Sequence, residues 1–213
     1  MRHKSKADKF FTDEEKIRIK ETTCNVESRT MGEIAVMVVD SSDQYLDAEI
    51  IGGLIFGSLL SLFLTVLYFN STVWSYIPLS FLFFFPSRFI VRKTPLIKAM
   101  FIGAVRKNHT VRERAVRAFY EKGLYKTKKS TGILFFLSLL ERKVWILADK
   151  GIHKKIGQNT LNKFAKVVTQ GIRDGRTCIA LCEAITEAGE LLAIHFPKKP
   201  GDIDELPDDV MTE

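Results

Sequence analysis

Between Ile50 and Ser87 the chain has no Asp, Glu, Lys, Arg or His, although 27% of its 213 residues are charged. So long a gap excludes an ordinary amphipathic helix or surface loop, both of which need polar residues at regular intervals. Cysteine is scarce as well. Cys24, Cys178 and Cys182 are odd in number and form no CxxC pair, which excludes a disulfide framework and suits a reducing compartment. Cys178 and Cys182 share a helix face at i,i+4; that spacing could hold a metal, but two small buried apolar side chains are the expectation. The first apolar run begins only after residue 49, too far in for a signal peptide. No P-loop and no Cys-x5-Arg cradle is present, so these two familiar phosphate-handling motifs are missing.

The uncharged stretch reads as a two-helix transmembrane hairpin. IIGGLIFGSLLSLFLTVLYF is long enough as a helix to cross a hydrocarbon core, which takes on the order of 20 apolar residues. VWSYIPLSFLFFFPSRFIV is a second crossing, interrupted by Pro78 and Pro86. Pro78 is accommodated in a first helical turn, and Arg88 snorkels to the headgroups. The connector from Asn70 to Thr72 is short and polar, with Tyr68, Trp74 and Tyr76 at interfacial depth. The alternative is a buried hairpin in a large soluble core, but the remaining chain is small for wrapping it. Gly53, Gly57 and Ser61 form a small-residue stripe that fits either packing within the hairpin or a homo-oligomer.

The net charge of +7 suits nucleic acid or an anionic surface, and position decides between them. Arg88, Arg92, Lys93, Lys98, Arg106 and Lys107 follow the second span, while Arg2, Lys4, Lys6 and Lys9 lie in the N-terminal arm. The positive-inside rule then places both termini in the cytoplasm of an inner-membrane protein with two spans. Membrane lipid is the expected partner for the charge, and no nucleic acid is expected.

The arm, residues 1–11, is expected to be mobile or to lie on headgroups. Thr12 and Glu15 have the spacing of a capping box, and the helix they start is expected to end near Met31-Gly32. EIAVMVVDSS follows as a strand buried on both faces. After the hairpin, TPLIKAMFIGAVRKNH suits an interfacial helix or an extension of the second span. A helix begins at Thr110, and GILFFLSLL and KVWILAD form an antiparallel pair around Glu141-Arg142, read as a hairpin turn. Helices over Gln158–Arg173 and Cys178–His195 come next. His109 and His195 sit at helix ends in this reading.

The order implies an α/β fold, a three-layer α/β/α sandwich with a small mixed sheet, interrupted by the hairpin. The right-handed crossover rule makes Glu33–Asp40 and Gly132–Leu139 parallel. Residues 1–48 and 109–197 are the two parts of one domain, residues 49–92 the hairpin, 93–108 a basic juxtamembrane segment and 198–213 an acidic tail with too little apolar content to fold alone. Lys126, Lys128 and Lys129 could meet that tail or lipid headgroups.

AVRAFYEKGLYKTKKSTGILFFLSLLERKVWILADKGIH, with QGIRDGRTCIALCEAI, HFPKKPGDIDELPDDV and the N-terminal FFTDEEKIRIKE and TMGEIAVMVV, resembles the TPM domain, in the bacterial branch that carries a membrane hairpin after the first strand. The resemblance implies an α/β/α sandwich. Relatives outside this branch are described as acid phosphatases, calcium binders or accessory factors of membrane complexes. It therefore implies either a binding or accessory module at the membrane, with an unknown protein partner, or a metal-dependent phosphatase.

The residues that could carry chemistry are Asp149, Lys150, Gly151 and His153 at a strand exit, with Asp149 and His153 the catalytic candidates. The expected topology brings Glu33 and Ser130-Thr131-Gly132 to the same edge and leaves Asp40 at the other. Glu33 and Asp149, with hydroxyl and backbone oxygens, are the candidate ligands of a divalent, calcium-like cation, which seeks six to eight oxygens. Against this, the turn before the glycine strand reads Lys126-Thr127-Lys128-Lys129-Ser130 where many relatives have acids. The plainer roles are a turn carboxylate for Asp149 and a surface or core-edge imidazole for His153.

Overall fold

The computed structural model describes residues 5–68, 73–127, 129–199 and 208–213. The chain divides into two compact units, one of residues 1–42 and 108–213 and one of residues 43–107.

The first unit is an α/β/α sandwich. Helix α1 spans Asp13–Glu27 and starts on the capping box, with the Glu15 N–H donating to Thr12 Oγ1 at 3.2 Å and the Thr12 N–H to Glu15 Oε2 at 2.9 Å. Strand β1 (Glu33–Val39) and strand β2 (Gly132–Ser138) are buried at every position, as their unbroken apolar runs require. They pair in parallel with Glu33 opposite Gly132, and β3 (Lys143–Ala148) returns antiparallel to β2. The sheet order is β3-β2-β1-β4, where β4 is Met211–Thr212.

Side chains alternate between two cores. Ile34, Val36, Val38, Ile133, Phe135 and Leu137 share one with α1, α6 (Lys150–Arg173) and α7 (Thr177–His195). Ala35, Met37, Leu134 and Phe136 face the other, closed by Val111, Ala115, Ala118 and Phe119 of α5 (Ala104–Glu121) and by Leu124.

Several boundaries differ from the sequence expectation. Helix α1 ends at Glu27, short of Met31-Gly32; Gly32 is instead packed so closely that a Cβ there would lie 2.7 Å from Leu192 Cδ1. Within the N-terminal arm, Ala7 and Phe11 are buried in the core and the Ala7 N–H donates to Asp40 Oδ1 at 2.6 Å. Helix α5 starts at Ala104, so His109 lies inside it, paired with Glu113 at 3.3 Å. Helix α6 begins at Lys150 and breaks at Gly157 (φ 72°, ψ 156°), so Gln158–Arg173 is only its second part. The tail contributes β4 rather than remaining apart from the fold, with Met37 opposite Met211 and Val38 opposite Thr212 in parallel register. Its apolar content is too small for a core of its own but enough to complete an existing edge.

The second unit holds helix α2 (Leu46–Tyr68) and helix α3 (Val73–Lys93), both long and apolar enough to cross a membrane. At 1.5 Å per residue they reach about 34 Å and about 31 Å, against a hydrocarbon core of about 30 Å. They run antiparallel: a Cβ on Gly53 would lie 2.8 Å from Arg88 Cβ, and one on Gly57 3.1 Å from Phe84 Cα. The small-residue stripe, buried Ser61 included, thus lets two backbones approach. Phe63, Phe81 and Phe85 are largely exposed on the other faces. Because α3 starts at Val73, Pro78 lies beyond its first turn, and both prolines are inside the helix. The connector 69–72 lies outside the described residues. Helix α4 (Pro95–Met100) follows, and Lys98 Nζ meets Glu49 Oε1 at 2.8 Å, with the Glu49 side chain 3% exposed.

Candidate functional site

Strand pairing gathers Glu33, Gly132 and Asp149 at one end of the sheet. The Glu33 N–H donates to Thr131 O at 3.1 Å and the Asp149 N–H to Gly132 O at 2.9 Å. Asp40 is at the opposite end, where its carboxylate accepts the Lys6 and Ala7 N–H groups.

Asp149 is the N-cap of α6. Its backbone is extended (φ −68°, ψ 165°) and its Oδ1 accepts the Lys150 N–H at 2.6 Å, which satisfies one of the unpaired donors of the first turn. Its Oδ2 is buried and has no hydrogen-bond partner among the described residues. Gly151 lies directly beneath the 127–131 turn, since a Cβ there would lie 2.5 Å from Ser130 O. That turn is tied down by the Thr131 N–H on Thr127 Oγ1 at 3.0 Å and by Thr131 Oγ1 on Met31 O at 2.8 Å. His153 is in the first turn of α6, its N–H on Asp149 O at 2.9 Å and its side chain exposed. Glu33 is 6% exposed at the start of β1. Among the described residues no three His, Cys, Asp or Glu side chains converge in a group that could hold a metal ion.

Glu27, which the sequence reading passed over, adds a third carboxyl close by. Its Oε1 accepts the Ile34 N–H at 2.6 Å. Burial, the hydrogen bond with the Asp208 carboxyl and the negative field of Glu33 together push its pKa up to about 9, against the Ile34 N–H, which favours the charged form. The signal was present: Glu27 lies four residues after Thr23 and eight after Ile19, on the buried face of α1. Asp208 also accepts the Cys24 thiol at 3.0 Å, and that bond, with burial, raises the Cys24 pKa to about 11. Cys178 and Cys182 are buried, and burial with the neighbouring Cys182 raises the Cys178 pKa to about 11.

At the far end of the sheet Glu141 does more than turn a hairpin. It is 4% exposed and accepts the Ser42 N–H at 2.9 Å and the Ser138 hydroxyl, fixing the chain where it leaves β1. Lys126 lies over the Tyr125 ring and Lys129 Nζ reaches Met31 Sδ; among the described tail residues, Asp209 pairs with Lys20 at 2.9 Å and Glu213 with Arg114. Lys128 and residues 200–207 lie outside the described residues.

The whole chain is similar in fold to the NMR structure of the BA42 protein from the psychrophilic bacterium Bizionia argentinensis, with a TM-score of 0.61, 20% identity and 96% of each chain covered. No curated protein matches the sequence. Residues 98–191, which run from α4 through the candidate strand exit and most of α7, match the family model of the TPM domain. Over residues 98–191 the chain is thus similar to the TPM domain, and two apolar helices separate the first strand of its sheet from the rest.

Proposed function

We propose that this protein is a membrane-anchored binding or accessory module, its TPM-type domain held on the cytoplasmic face of the cell membrane by the inserted hairpin. The observation that carries the reading is the engagement of Asp149: the carboxylate best placed for chemistry accepts the Lys150 N–H at 2.6 Å as a helix cap. A carboxylate used this way orders α6 against the sheet and presents a rigid surface rather than a reacting group. The exposed aromatic faces of α2 and α3 support the anchor, because lipid covers such surface at no cost in water structure. Exposed Arg92 and Lys93 close α3, while no basic residue lies between Ile50 and Ser87, which supports a cytoplasmic domain. The partner is a protein or the anionic lipid surface.

The second reading, a metal-dependent phosphatase-like hydrolase with a calcium-like cation near Glu33 and Asp149, draws on the buried Asp149 Oδ2, which has no partner among the described residues and is a donor suited to a hard cation. Full-length protein in detergent, given a generic phosphate ester with and without divalent cations, separates the two. The module reading expects no hydrolysis beyond that of Asp149→Asn and Glu33→Gln. Metal-dependent turnover abolished by both substitutions would overturn it in favour of the hydrolase.

A further inference from the structure

The free edge of β1 is closed by the chain's own segment Asp208–Glu213, and the contacts read that segment residue by residue. The Glu213 N–H donates to Val38 O at 3.1 Å, and the Asp40 N–H donates to Glu213 O at 3.0 Å. Side chains supply the specificity: Lys20 takes Asp209 at 2.9 Å, Cys24 and Glu27 meet Asp208, Asp8 accepts the Thr212 hydroxyl, and Arg114 pairs with Glu213. Val210 packs on the α1-side core and Met211 on the α5-side core, the alternation of a docked strand. Cations on α1 and α5 therefore flank a sheet edge that accepts an extended acidic segment.

We propose that this edge is a strand-docking site for the tail of a second copy of the chain, so that two molecules exchange Asp208–Glu213 reciprocally. The occupant follows from the contacts. A second copy carries the one sequence that every flanking side chain already matches, and exchange re-forms the same bonds, leaving little enthalpic difference between the closed and exchanged states. Two features make the exchanged form accessible. Strand β4 is only two residues long, so releasing it breaks few ladder bonds. Confinement of anchored copies to one membrane raises their effective concentration, a contribution that rests on the membrane reading above. Residues 200–207 limit the geometry: the nine backbone steps from Lys199 to Asp208 reach about 30 Å at most, so the two β1 edges must lie side by side.

Charge reversal tests the proposal in full-length chains bearing different affinity tags. One chain carries Lys20→Glu with Arg114→Glu, the other Asp209→Lys with Glu213→Arg. Each alone is mismatched within itself, whereas together they restore both pairs only across molecules. Reconstituted into phosphatidylcholine–phosphatidylglycerol vesicles, the mixture is expected to co-purify about tenfold more than either variant mixed with its own kind. Equal yields in all mixtures would overturn the proposal, as would co-purification that persists when both chains end at residue 207. Wild-type chains give an independent check, in which excess free Asp208–Glu213 peptide is expected to dissociate tagged pairs and an unaffected yield counts against exchange. A chain that fails to float with the vesicles contradicts the membrane reading instead, and the peptide competition still decides exchange in detergent.

Discussion

The Glu27 carboxyl accepts the Ile34 N–H at 2.6 Å across the turn joining α1 to β1, and it does so beside Glu33 and Asp208. Its raised pKa, about 9 against an ordinary 4.5, means that the folded protein holds a proton that the unfolded chain releases over that interval. Stability contributed by this group is then full below about pH 4.5 and falls as pH rises toward 9, by up to about 1.4 kcal/mol per pH unit. Glu27→Gln keeps an acceptor for Ile34 and a donor for Asp208 without the charge. Denaturant unfolding at pH 5 and pH 8 is expected to show it more stabilising at pH 8; equal effects at both would refute a buried proton.

Asp149→Ala removes the cap of α6 and is expected to cost about 1 kcal/mol, whereas Asp149→Asn retains an N-cap oxygen and costs a few tenths. Thermal unfolding in detergent measures the difference. A large loss with Asn as well would mean that the charge itself matters at this sheet end, as a bound cation would require.

Gly157 adopts φ 72° and ψ 156°, a region open in practice to glycine, and a Cβ there would meet nothing within 4 Å. Gly157→Ala should therefore act through backbone strain alone, destabilising by about 1–3 kcal/mol. An unchanged melting temperature would mean that α6 runs straight through this position.

In the second unit, Lys98→Met leaves the Glu49 carboxylate buried without its ammonium and is expected to destabilise by roughly 3 kcal/mol. Adding Glu49→Gln should recover most of that loss in the same thermal assay. A double variant no better than the single one would show that the pair does not act as a unit.

The parallel pairing of Glu33 with Gly132 and the return of β3 were legible because β-branched runs, a tight turn and the handedness of crossovers leave few alternatives. Those rules also put Asp149 beside Gly132. The tail was not legible: Val210 and Met211 are too few for a hydrophobic signal, and they find a place only against an edge built by residues far away in sequence. Glu27 was missed for a related reason, since a glutamate near a helix end reads as solvated unless its face is followed back to Ile19. Glu141 looked like a turn residue because Ser42 and Ser138 approach it only in the folded sheet.

The central claim is that the apolar hairpin is an insertion into one α/β domain, serving as its anchor and not as its core. Replacing Ile50–Ser87 with a flexible Gly/Ser linker tests it most directly. The expected product is soluble without detergent and unfolds in one cooperative transition, while the full chain stays in the membrane after alkaline washing. An aggregated or non-cooperative product would contradict the claim and return the hairpin to the folding core.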